Sequence, residues 1–138
     1  MLNVPPSGLK PFFARGGRLL LSHGWNDGLI PANNTLEFHK AVFAALPARQ
    51  LQDQLRLFMV PGMAHCSGGE GPSAIDTLAT LDTWTPSGRA PDRLIANSLP
   101  GKPAISRPLC TFPQTAHYEG DGSITKETSF SCALPPAR

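Results

Sequence analysis

Two short apolar runs, each trailed by a loop and then an amphipathic stretch, constrain this chain more than any other feature. Arg18-Leu19-Leu20-Leu21-Ser22-His23 ends at Gly24, and Leu55-Arg56-Leu57-Phe58-Met59-Val60 closes at Pro61-Gly62. Brief, nearly continuous runs of this kind predict strands buried on both faces, as in parallel sheets. After the first run, Asn34 followed by Glu37 has the form of a helix N-cap with its reciprocal acid. From there Leu36, His39, Val42, Phe43 and Leu46 recur at helical spacing until Pro47 stops the helix. After the second run and a glycine-rich loop from Met63 to Pro72, Ser73 with Asp76 predicts another helix start. That helix runs through Ile75, Leu78, Leu81 and Trp84 and is expected to end before Pro86. The order strand–loop–helix, given twice, predicts a parallel α/β layer.

The remainder is less regular. Prolines and glycines punctuate residues 1–16 so densely that they read as a lead-in rather than an element. Residues 17–88 form the strand–helix core, and residues 89–138 read as an extended tail packed on the same layer. Short extended pieces are expected at Leu94-Ile95-Ala96, within Pro108–Tyr118 and at Ser129–Cys132. Fifteen prolines in 138 residues is about twice the usual ~5% share, which suits extended and turning segments. Twelve Lys and Arg against ten Asp and Glu leave a formal charge of +2. That is too little for a nucleic-acid footprint or an acidic disordered tail. No apolar run approaches the ~20 residues of a membrane span. The N-terminal residues lack the basic and apolar regions of a signal peptide, so none is expected in this chain.

In parallel sheets, reactive side chains collect on the loops that leave the carboxyl ends of strands. Asp27 lies on the first such loop and His65 on the second. Separately each has a plain explanation. Asn26-Asp27-Gly28 is a common turn, and a histidine on an exposed loop needs no role. Together, a carboxylate after one strand and an imidazole after the next are the acid–base half of a hydrolase triad. The aspartate would fix the histidine's tautomer, leaving the other ring nitrogen to take a proton from a nucleophile. Chain order in that fold puts the serine ahead of the acid. Upstream of Asp27 stand only Ser7, in the lead-in, and Ser22, inside the first strand, neither in a glycine-flanked elbow. Ser67 is two residues from His65 on the same loop, where opposed attack geometry is hard to reach. Half a triad is present.

Three cysteines leave one unpaired under any bridge. A bridge between Cys110 and Cys132 would close a loop in the Pro/Gly/Ser-rich tail and leave Cys66 as a reactive thiol or one with a missing partner. Three buried, reduced thiols are the alternative. His23, at a strand end, reads as a packed residue near the site with some prospect of meeting substrate. Trp25 fits either a pocket wall or the core. His39, beside Val42 and Phe43, reads as a packing residue, and His117 has no partner at ligand spacing. The scattered histidines and cysteines give no zinc pattern, so no metal is assigned. Asn33-Asn34-Thr35 fits a glycosylation acceptor only in a eukaryotic secretory setting.

Several blocks together resemble the C-terminal part of the tannase/feruloyl esterase family. They are Gly24-Trp25-Asn26-Asp27, Val60-Pro61-Gly62-Met63-Ala64-His65-Cys66-Ser67-Gly68-Gly69, Ala90-Pro91-Asp92-Arg93 and Arg107-Pro108-Leu109-Cys110 with Cys132. The resemblance extends from about Pro11 to Cys132, and Pro-Gly-Met-x-His-Cys is its most specific block. It implies the C-terminal portion of an α/β-hydrolase fold with an extended, disulfide-linked tail. It also implies a serine esterase cleaving esters of aromatic, phenolic acids. Asp27 would be the triad acid and His65 the base. Cys66 would be the half-cystine whose partner precedes the nucleophilic serine, and Cys110 and Cys132 a tail disulfide. The family's lid, with a structural calcium, and its nucleophile half have no counterpart in this sequence, so no cofactor is assigned and the chain alone is expected to be inactive. Substrate binding is then expected only on completion by the N-terminal half. An extracellular or periplasmic location follows from the resemblance. The alternative is a non-catalytic module that pairs with itself, as a homodimer, or with a separately encoded N-terminal half, through the strand edge that half a sheet leaves open.

Overall fold

The computed structural model describes residues 4–136. Where an irregular lead-in is expected, a 3-10 turn, Pro6–Leu9, runs into a short helix, α1 (Lys10–Ala14). The prolines do not prevent this, because each stands in a first turn where its missing N–H has no intrahelical partner to lose. Burial of Phe13 supplies the reason for order.

The two apolar runs are strands β1 (Leu19–Gly24) and, further along, Leu55–Val60. Between them lie α2 (Ala32–Ala45) and α3 (Ala48–Gln54), the latter too short to show a period in sequence. Leu55–Val60 is therefore β2. It pairs with β1 in parallel, Leu19 opposite Leu55 and Gly24 opposite Val60, so both carboxyl ends finish level. Of the two, only β2 is buried on both faces. In β1, Ser22 is exposed and Leu19, Leu20, Leu21 and His23 are half-buried, because β1 has one strand neighbour among the described residues.

Helix starts differ from expectation in instructive ways. Pro31 caps α2, and its carbonyl accepts the Asn34 N–H at 2.9 Å, so Asn34 sits inside the first turn and is not the cap. Its neighbour Thr35 is engaged elsewhere, by His23. After β2 come β3 (Ala74–Ile75) and α4 (Thr77–Ser87). Asp76 caps α4 by accepting the Ala79 N–H at 2.9 Å; Ser73 does not, and Ile75 belongs to the strand. Pro86 is tolerated in the final turn, and Gly88, at φ 67°, ends the helix in the left-handed conformation that glycine enters freely.

The tail forms β4 (Arg93–Asn97), β5 (Ser106–Cys110), β6 (Thr115–Tyr118) and β7 (Phe130–Ala133), which contain the expected extended pieces except Ser129, the last residue of a 3-10 turn, Glu127–Ser129. β3, β4 and β5 make one antiparallel sheet, β6 and β7 another. The end of β5 reaches β2, where the Phe112 N–H meets the Leu57 carbonyl at 2.8 Å. Side chains of β2 feed two cores, as alternation along a strand dictates. Leu55 joins Phe13, Val42 and Leu51, while Phe58 and Val60 join Met63, Leu94, Ala96 and Leu109. Cys110 and Cys132 form a disulfide with Cα atoms 5.6 Å apart, and Cys66 is free and exposed. Three buried, reduced thiols are therefore not what the chain has. Among the described residues no helix is long and apolar enough to cross a membrane.

Candidate active site

Level strand ends bring two loops together. Beyond Gly24 the chain turns with the Asp27 N–H on the Gly24 carbonyl at 3.3 Å. It is sewn to the second loop by Trp25 N–H on Val60 O, 3.0 Å, and Asn26 N–H on Met63 O, 3.1 Å. Contact at Gly24 is so close that a Cβ there would lie 2.1 Å from the Met63 carbonyl oxygen. The second loop folds on itself: Met63 bridges Gly69, and the Ala64 N–H reaches Gly68 O at 3.2 Å. Buried Ser73 accepts the Gly68 N–H at 3.0 Å, and the Lys102 ammonium donates to Gly69 O. Gly69 is at φ 87°, and any side chain on it would strike the Gly62 carbonyl, so only glycine serves there. Cys66 alone among described non-glycine residues has positive φ, 62°.

Asp27 and His65 meet between these loops. The carboxylate's Oδ1 accepts the N–H groups of Leu29, at 2.8 Å, and Ile30, at 2.9 Å. Its Oδ2 lies 2.9 Å from His65 Nδ1. The Asp27 side chain is 4% exposed, whereas that of His65 is 41% exposed. The Ile30 N–H is the main cause holding the Asp27 pKa down at about 2, aided by His65 and Leu29 and opposed by desolvation. An ionised carboxylate only accepts, so His65 carries its proton on Nδ1 and leaves the Nε2 lone pair facing outward. This arrangement can take a proton at Nε2 and stabilise the resulting imidazolium.

The other candidates are placed as follows. His23 is packed beside the pair: Nδ1 lies 2.7 Å from Thr35 Oγ1, and Nε2 lies 3.0 Å from the Ile30 carbonyl and 3.4 Å from Asp27 Oδ2. Trp25 is 46% exposed, and the buried core tryptophan is Trp84. Trp25 lines a groove of about 330 Å³ with Met59, Phe112 and Pro135. Cys66 follows His65 at the exposed loop tip, and Ser67 donates its N–H to the His65 carbonyl at 2.8 Å. His39 packs against Phe43 and Phe112, and burial lowers its pKa below the ordinary 6.5. His117 bonds Thr115 in the tail. Sequence reasoning missed Thr35, since a hydroxyl in a first helical turn carries no distinctive signal, and had Gly24 only as the head of the Gly24-Trp25-Asn26-Asp27 block, without its close contact to the second loop.

The family described as tannase and feruloyl esterase matches residues 3–133. The chain belongs to that family. Mono(2-hydroxyethyl) terephthalate hydrolase of Piscinibacter sakaiensis is 42% identical over 132 residues, which cover 93% of this chain and 22% of that protein. A probable feruloyl esterase B-1 of Aspergillus oryzae is 31% identical over 90% of this chain and 26% of its own length. Among solved structures, the crystal structure of feruloyl esterase B from Aspergillus oryzae superposes with a TM-score of 0.82 at 30% identity. That match covers 92% of this chain and 29% of the other. The chain thus spans about a quarter of the length of these tannase-family relatives. Its fold is the expected α/β-hydrolase portion, parallel strands with flanking helices and a disulfide-linked tail. Among the described residues no group of three or more His, Cys, Asp or Glu side chains is arranged to hold a metal ion.

Proposed function

We propose that this chain supplies the acid–base pair of a serine carboxylic ester hydrolase acting on esters of aromatic acids, with Asp27 as the acid and His65 as the base. The observation that carries the proposal is the 2.9 Å contact between Asp27 Oδ2 and His65 Nδ1, with Nε2 directed away from the carboxylate. In the reaction, Nε2 takes the proton of a serine hydroxyl as its oxygen attacks the ester carbonyl. The imidazolium, stabilised by Asp27, then gives that proton to the departing alcohol, and water releases the acyl group by the same route. No serine before Asp27 stands in a Gly-x-Ser-x-Gly elbow in these 138 residues, and the nucleophile, the lid and its calcium are assigned in this proposal to polypeptide beyond them. Trp25, on the exposed groove, is proposed as a pocket wall. Cys66 at the loop tip is proposed as a half-cystine whose partner lies beside that serine. The Cys110–Cys132 disulfide supports an extracellular or periplasmic location.

A graft tests this. The matching segment of the Piscinibacter sakaiensis hydrolase is replaced by this chain and assayed with methyl ferulate and a terephthalate monoester. Turnover is expected, falling by about 10²–10⁴-fold in Asp27→Asn and His65→Ala, while the 138-residue chain alone turns over neither ester. Undiminished turnover in either variant overturns the assignment. A second proposal, self-association or docking onto a separate N-terminal half, is favoured by the edge of β1 that pairs with no strand among the described residues. Concentration-independent elution as a monomer argues against self-association.

A further inference from the structure

Asp27 is flanked by a second imidazole, and we infer that His23 is a positioning residue that holds the Asp27 carboxylate toward His65 by gripping the Ile30 peptide. The inference rests on Asp27 and His65 being the acid–base pair, but its chemistry can be read without turnover. The Ile30 carbonyl can only accept, so the 3.0 Å contact places a proton on His23 Nε2. Neutral Nδ1 is then an acceptor, and the Thr35 hydroxyl, 2.7 Å away, donates to it. Thr35 belongs to the first turn of α2, so this hydroxyl, which adapts to either ring nitrogen state, holds the ring's orientation from a separate element, while the Ile30 carbonyl sets its tautomer.

The consequence falls on one peptide group. The Ile30 carbonyl is held by His23, and the Ile30 N–H is held by Asp27 Oδ1 at 2.9 Å. The turn carrying the carboxylate is therefore closed from β1 as well as from within. The same Nε2 lies 3.4 Å from Asp27 Oδ2, the oxygen that receives His65 Nδ1–H. With its side chain 10% exposed, His23 is screened from water, and a misdirected ring would leave the Ile30 carbonyl and the Thr35 hydroxyl unpaired. A histidine four positions before the acid is thus more than packing: it sets where the carboxylate points, and through it the tautomer of His65.

The test uses the 138-residue chain, ¹⁵N-labelled, with imidazole tautomers read from long-range ¹H–¹⁵N spectra. The expected pattern is Nε2–H for His23 and Nδ1–H for His65, the latter proton at low field. In His23→Phe the His65 Nδ1 proton should move upfield and exchange with water about tenfold faster, the size of one lost hydrogen bond. His23→Gln keeps an amide donor for the Ile30 carbonyl and should restore exchange to within about threefold. Thr35→Val removes the hydroxyl at Nδ1 and keeps the Ile30 carbonyl at Nε2, so His23 should stay in the Nε2–H form with a loosened ring and a partial shift at His65. An unaltered His65 proton in Thr35→Val and His23→Phe, with β2 amide signals in place, overturns the inference. So does His23 found as the Nδ1–H form. If His23→Phe does not fold, Thr35→Val and the wild-type tautomer decide. Loss of turnover in the graft experiment would leave these spectra unchanged, so the two readings fail separately.

Discussion

Gly24→Ala is the sharpest perturbation the structure offers, because a single methyl group would enter the seam between the two loops. An added Cβ would lie 2.1 Å from the Met63 carbonyl oxygen and 2.7 Å from that of Ala64, both backbone atoms that cannot swing aside. Ordinary contact begins near 3.4 Å, so the second loop must withdraw by about 1.3 Å, a displacement that overpacked backbone resists. His65 rides on that loop. A withdrawal of this size stretches its 2.9 Å bond to Asp27 toward 4 Å, beyond hydrogen-bonding range. The overpacking should cost about 1–3 kcal/mol. For a chain this long, about 3.5 °C of melting temperature corresponds to each kcal/mol, so a fall of about 3–10 °C is expected. Gly28→Ala is the internal control: it sits on the same loop with nothing within 4 Å and should melt within about 2 °C of wild type. The readouts are thermal melts and the low-field Nδ1 proton of His65. A Gly24→Ala protein that melts with wild type and keeps that proton would refute the claim that backbone contact sets the spacing of the pair.

Other outcomes follow from the same geometry. Reducing the Cys110–Cys132 bridge, or replacing both residues by serine, frees a loop with a sequence separation of 22, for which chain entropy gives about 3 kcal/mol. Denaturant melts with and without reductant check it, and coincident curves would contradict it. Asp27, held near pKa 2 against an ordinary 3.8, contributes stability that is complete above about pH 4 and is lost as pH falls toward 2. Titration of its carboxyl ¹³C signal should show a midpoint near 2; a midpoint near 4 would deny the Ile30 and Leu29 hydrogen bonds. Asp27 therefore does not set the acid limb of any pH–rate profile above pH 3.

Much of the positioning framework was legible before any coordinates. The strands Leu19–Gly24 and Leu55–Val60 were legible as short apolar runs, although burial on both faces holds only for the second, and their parallel pairing fits the helical crossover between them. Asp27 and His65 were found from topology, since consecutive loops at one sheet edge must be neighbours. What stayed hidden depends on contacts rather than patterns. That Pro31 and not Asn34 caps α2 rests on the backbone turning helical at Ala32, with the Pro31 carbonyl taking the Asn34 N–H, and the Asn34/Glu37 spacing does not reveal it. The half-exposure of β1 reflects its neighbours, about which its own residues are silent. In residues 1–16, counting prolines obscured a helix that Phe13 anchors, because a proline at a helix start and one in a loop look alike.

The parallel register, with Gly24 opposite Val60, separates the chain into lengths that matter and lengths that do not. Asp27 stands three positions past one register mate and His65 five past the other, so one inserted residue in either spacer would swing its functional group out of reach. The crossover from Pro31 to Gln54 spans the same two fixed posts however long it is. Among natural variants, insertions and deletions should therefore crowd into that crossover and spare the spacers, making chain length a record of which segments measure distance and which merely connect.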